Sequence, residues 1–157
     1  MKQFVGLDFA YANNGVIILD EEAKILTSTL IITKLPKTDE ERLTELIEKL
    51  ESYLDIENTE AVYIEGLSYG SKGQAVSQMG AAHFMTRIFL WKKHINYKII
   101  APGALKKFVT GKGQCKKDLI LLKVFKKFGV EFESNDLADA YSLARMALED
   151  YKNETNR

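Results

Sequence analysis

The sequence predicts an α/β fold: a mixed five-stranded sheet, an antiparallel meander followed by parallel strands, with helices on both faces. Three observations lead there. Near the N-terminus, three short apolar runs are separated only by turn-forming residues. After them, stretches with helical spacing alternate with two more short apolar runs, and such strand–helix–strand units give right-handed crossovers between parallel strands. Finally, 157 residues with 46% hydrophobic and 28% charged side chains suit one folded domain. That domain is expected to span residues 1–157, with a short polar tail from about residue 152.

Phe4 to Phe9 is short, apolar and bounded by polar residues, as a strand should be. Asn13-Asn14-Gly15 reads as the turn into a second strand, Gly15 to Leu19. Asp20-Glu21-Glu22 turns the chain again, into a third strand from Ile25 to Ile32. Pro36 then breaks the pattern, and Thr38-Asp39-Glu40-Glu41 matches a capping box. Leu43, Leu46, Ile47, Leu50 and Leu54 follow at helical spacing, giving an amphipathic helix with an acidic outer face.

Ala61 to Ile64 forms a buried fourth strand that ends at Glu65, and residues 66–73 form a glycine-rich loop. The helix expected from Gln74 to His94 carries apolar residues on more than one stripe, so it is buried in the core or against another subunit. Tyr97 to Ile100 is the fifth strand, and Pro102 opens a short helix broken at Thr110-Gly111-Lys112-Gly113. A helix from Gln114 to Phe128 stops at Gly129. The last helix starts near Ser134-Asn135 and runs to about Tyr151.

Several classes are excluded. No apolar run is long enough to span a bilayer. The N-terminal stretch holds an acid among its apolar residues and lacks a small-residue cleavage pattern, so it does not read as a signal peptide. The single cysteine, Cys115, allows neither an internal disulfide nor a cysteine-based metal site. A cytoplasmic location and no membrane partner follow as expectations. His83 and His94 lack ligand spacing and are read as core or surface residues.

The formal net charge is zero but unevenly spread. Between Pro102 and Gly129, eight lysines face one acid, a net of +7; between Lys37 and Glu60, nine acids face three bases, a net of −6. Such separation can hold an anionic polymer against one face, although a lysine-rich solvated helix has the same composition.

Four carboxylates stand out. Asp8 is flanked by apolar residues inside the first strand, where burial of a lone acid is costly. Glu65 closes an apolar strand, and crossover sheets place their ligand sites at such ends. Asp136 and Asp139 share one helix face at i and i+3, amid Ala138, Ala140 and Ala144. The helix dipole also favours acids in a first turn. Carboxylates gathered in one place need protons or cations, and Mg2+ is the cation that prefers such oxygen ligands. Two bridged ions of this kind activate water and stabilise the leaving oxygen of a phosphodiester.

The segments Gly6-Leu7-Asp8, Tyr63-Ile64-Glu65, Ala101 to Gly113 and Asp136 to Ala144 resemble the RuvC-type Holliday junction resolvases of the ribonuclease H-like superfamily. The likeness covers nearly the whole chain and is strongest to the bacteriophage-encoded branch. It implies a ribonuclease H-like fold and a Mg2+-dependent endodeoxyribonuclease, with two ions per site and Mn2+ as a substitute. The substrate would be four-way junctions and other branched DNA, cut by a homodimer in the host cytoplasm if the gene is a phage's. The helix from Gln74 to His94 would form much of the dimer contact. By the same resemblance Asp8, Glu65, Asp136 and Asp139 hold metal, and the family's lysines fall on Lys106 and Lys117, with Lys107 and Lys116 one residue away. Lys117 is expected to aid catalysis, and Lys72, Lys106, Lys107, Lys112 and Lys116 to contact DNA. The aromatic wedge of cellular members aligns with Ser68, and Tyr69 beside it is the residue expected to stack on a base.

Three alternatives are open. An ATP-binding fold of the sugar kinase and actin type shares the opening meander but needs two domains. A non-catalytic junction-binding protein would keep the fold without cleavage. A ribonuclease H-like enzyme could instead act on RNA.

Overall fold

The computed structural model describes residues 1–34, 37–67, 74–113 and 119–156, with Ala10, Gln74 and Ala75 described by their backbone only. Five strands form one sheet: β1 (Gln3–Ala10), β2 (Asn13–Leu19), β3 (Ile25–Ile32), β4 (Thr59–Glu65) and β5 (Tyr97–Ile100). Their order is β3-β2-β1-β4-β5. The first three pair antiparallel, while β4 runs parallel to both β1 and β5. The expected meander with parallel additions is therefore present.

Strand alternation divides the helices between two faces. Val5, Leu7 and Phe9 point to one side, where they pack with Leu46 and Leu50 of α1 (Asp39–Tyr53) and with Ala82, Phe89 and Leu90 of α2 (Gln74–Lys92). The opposite face carries α3 (Pro102–Thr110), α4 (Ile120–Phe128) and α5 (Asn135–Thr155). There Ile17 and Leu19 meet Val109, Ile120, Val124 and Tyr141, while Phe4 and Tyr63 meet Leu105, Leu143 and Leu148.

Helix α5 lies unusually close to the sheet, and small residues make this possible. A Cβ on Gly6 would stand 1.8 Å from the carbonyl oxygen of Ala140, and one on Gly15 would stand 2.4 Å from that of Asp136. Gly15 is the cross-strand partner of Asp8. The first turn of α5 is thus seated over the stretch of sheet that bears Asp8. Ser134 caps this helix by accepting a hydrogen bond from the backbone N–H of Leu137 at 3.2 Å.

The hairpin between β1 and β2 differs from expectation. Asn-Gly is a strong turn signal, yet Asn13, Asn14 and Gly15 all belong to β2 and the turn is Tyr11-Ala12. Gly15 is needed in the strand because α5 leaves no room for a side chain. Asn14 is buried and donates to the carbonyl of Ile31 at 3.1 Å. The left-handed turn conformation falls to Tyr11, with φ 54°. It is held by Thr33, whose hydroxyl donates to the Tyr11 carbonyl, by the Arg42 guanidinium over its ring, and by its own hydroxyl donating to Asp39.

Other boundaries shift less. The capping box of α1 forms in both directions between Thr38 and Glu41. Helix α2 ends at Lys92, two residues before the expected His94, which adopts φ 56° and turns the chain toward β5. Helix α5 continues to Thr155, so residues 152–155 extend it where a polar tail was expected. Their polarity hides no helix breaker, and Lys152 suits the carbonyl end of a helix. Pro36 and the start expected for α4 at Gln114 lie outside the described residues.

Candidate active site

Parity and register bring the acids together. Asp8 follows Phe4 and Gly6 on the α5 face of β1, and Glu65 follows Tyr63 on the same face of β4. Leu7 pairs with Ile64, so the two acids are neighbours at the C-terminal ends of adjacent parallel strands. The glycine contacts place the start of α5 above them. One carboxylate oxygen from each of Asp8, Glu65 and Asp139 lies within 4.8 Å of the others. Asp136, one helical turn earlier, lines the same cleft but stands outside this tight trio.

The cleft is open and about 300 Å³ in volume. Besides the four acids, its walls include Gly66, Met79, Leu105, Lys106 and Ile120. Asp8 is only 7% exposed, whereas Glu65 and Asp139 are half-buried. Burial, then the neighbouring Glu65 and more weakly Asp139 and Asp136, push the Asp8 carboxyl up to about 9. Without a cation, burial and the neighbouring acids favour the protonated form of Asp8.

The donor set decides which cation fits. All the converging atoms are carboxylate oxygens, which suit a hard ion such as Mg2+, Mn2+ or Ca2+ and lack the nitrogen and sulfur ligands usual for zinc. Among the described residues this is the one group with metal-binding spacing. His83 stays out of it. It is buried, its pKa is lowered by that burial, and its Nε2 lies 3.2 Å from the backbone carbonyl oxygen of Glu65.

The basic residues divide. Lys106 on α3 is half-buried and lines the cleft, while Lys107 and Lys112 are exposed beyond its lining. Tyr69, Lys72, Lys116 and Lys117 lie outside the described residues. The acidic helix α1 packs on the far face of the sheet, so the charge asymmetry becomes a separation of faces, with α3 and α4 on the cleft side.

Sequence reasoning missed His83 as a neighbour of Glu65, and the apolar walls Met79, Leu105 and Ile120. Only His83 carried a signal, the one imidazole in its helix; the others are indistinguishable from core residues until folded. No helix among the described residues is long and apolar enough to cross a membrane.

Comparisons with known proteins bear on the family and the fold. The family described as crossover junction endodeoxyribonuclease RuvC matches residues 4–146. Proteins of that description from a Nitratiruptor species and from Prochlorococcus marinus are 24% and 26% identical, covering 89% and 93% of this chain and 91% and 96% of theirs. Among solved structures, Thermus thermophilus RuvC in complex with Holliday junction substrate is similar with a TM-score of 0.82 at 17% identity, over 99% of this chain and 97% of that one. A Fowlpox virus resolvase complexed with Holliday junction DNA gives 0.60 at 14% identity, over 95% and 98%. At such identities the structures speak for the fold alone.

Proposed function

This chain belongs to the crossover junction endodeoxyribonuclease RuvC family, and from that membership we propose that it resolves four-way DNA junctions by divalent-cation-dependent hydrolysis of phosphodiesters. The observation that carries the proposal is the convergence of Asp8, Glu65 and Asp139 at the strand ends, in an open cleft. Magnesium, with Mn2+ as a substitute, is the cation we assign, held by those three residues with Asp136 at the rim. Bound there, such ions activate water and stabilise the leaving oxygen of a phosphodiester.

The chain's own residues have separable tasks. Asp8 must release its proton for a cation to bind, so loading is favoured as pH rises. Lys106, on the cleft wall, is placed to stabilise negative charge on a phosphoryl group. Lys107 and Lys112 extend the basic surface along which DNA would lie; Lys72 and Lys116 are assigned contacts with DNA, and Lys117 a part in catalysis. Tyr69 is assigned the base-stacking role. The exposed apolar side of α2, with Phe84, Met85, Ile88 and Trp91, supports a homodimer formed through that helix. A bacteriophage-encoded member, acting in the cytoplasm of a host on several kinds of branched DNA, is the finer reading; it rests on sequence resemblance.

The test is cleavage of a mobile four-way DNA junction, an RNA hairpin and an RNA–DNA hybrid, each with and without Mg2+. The wild type is expected to cut the junction only with the ion. Asp8→Asn and Glu65→Gln are expected to bind the junction and lose cleavage by about a thousandfold or more. Binding without cleavage by the wild type would instead mark a junction-binding protein, and preference for the RNA substrates would mark a ribonuclease.

A further inference from the structure

Glu65 is the last residue of β4, and beyond it the chain leaves the sheet. On one side the strand end is tied to β5, where the N–H of Gly66 donates to the carbonyl of Ile100 at 2.7 Å. The carbonyl of Glu65 itself meets Nε2 of His83, which projects from α2 and is 3% exposed. A carbonyl oxygen can only accept, so this contact requires the proton to be on Nε2 and leaves Nδ1 as an acceptor.

The bond matters because of what Glu65 faces. Its carboxylate lies near those of Asp8 and Asp139, and the three repel one another once all are ionised, as a cation site requires. A strand end is where such repulsion is most easily relieved, by the carboxylate moving outward. The backbone hydrogen bond to a buried ring opposes that movement.

We propose that His83 is a positioning residue: through the Glu65 carbonyl it fixes the end of β4 and keeps the Glu65 carboxylate in place for a divalent cation. This rests on the metal-site reading above. His83 is buried on the helix whose exposed side carries Phe84 and Ile88, so the same helix presents an apolar face and reaches the metal site. The His83 ring bonds this helix directly to the backbone of a residue assigned to the cation.

The experiment titrates Mg2+ alone into wild type, His83→Leu and His83→Gln by calorimetry, without DNA. Circular dichroism checks that each variant is folded. Leucine removes the donor, while glutamine places an amide nitrogen near the position of Nε2. His83→Leu is expected to weaken Mg2+ binding about 10- to 100-fold, and His83→Gln to recover most of it. Junction binding without metal should be unchanged in both. In the wild type, 15N NMR should find the Nε2–H tautomer, a readout independent of metal and of whether the leucine variant folds. Wild-type affinity in His83→Leu, equal losses in both variants, or an Nδ1–H tautomer would overturn the proposal. If wild type takes up no Mg2+, the metal-site reading falls and this role with it, even where the tautomer is as expected.

Discussion

Asp8 is buried between like charges, and its carboxyl is raised from 3.8 to about 9 in the cation-free protein. Between these two values the folded state keeps a proton that the unfolded state releases, so stability falls as pH rises from about 4 to 9. Below that window both states are protonated and there is no penalty. In the absence of metal, Asp8→Asn is therefore expected to gain stability over wild type progressively from pH 5 to pH 9, measured as melting temperature. Saturating Mg2+ should restore the wild type at the alkaline end. Parallel curves would mean that Asp8 ionises normally. At this scale the acids were legible in the sequence because an acid among strand residues is costly unless used. Their ranking was not: Asp8, Glu65 and Asp139 form the tight trio, while Asp136 sits one turn away. The i, i+3 spacing puts both aspartates on one face, and only the crossing of α5 over the sheet decides which is nearer.

The elements explain how such repulsion is tolerated. Asp8 and Glu65 stand on the two central parallel strands, and α5 is pinned over them by contacts that admit no side chain on Gly6 or Gly15. Gly6→Ala would drive a methyl group into the Ala140 backbone, so it is expected to destabilise the fold by about 3 kcal/mol or more, read from urea unfolding. It should also weaken metal binding, because Asp139 moves with α5. A fully stable Gly6→Ala protein would show that the helix can shift and that the site does not depend on this contact. Strands and helices were largely readable from periodicity, including β3, β5 and the α1 capping box, which form where expected. The turn at Tyr11-Ala12 was not, because tertiary packing overrode the local Asn-Gly preference. For α2, composition allowed either core or interface. The folded helix has a buried side, with Ala82, His83 and Leu90, and an exposed apolar side, where Trp91 is 70% exposed.

At the scale of the whole molecule, zero net charge conceals two faces. The acidic helix α1 lies across the sheet from the cleft, and the lysines of α3 and α4 lie on the cleft side. DNA binding by such a surface should weaken steeply with salt. Replacing Lys106, Lys107 and Lys112 together by alanine should lower affinity and reduce the log–log salt slope by about one unit for each phosphate no longer neutralised. An unchanged slope would move the DNA to another face. Above all, folding should create one cation centre from distant acids, and anomalous diffraction from crystals grown with Mn2+ would locate it. The expected result is a manganese peak in contact with carboxylate oxygens of Asp8, Glu65 and Asp139. Ordered, deprotonated carboxylates with no such peak, or manganese bound only elsewhere, would contradict it.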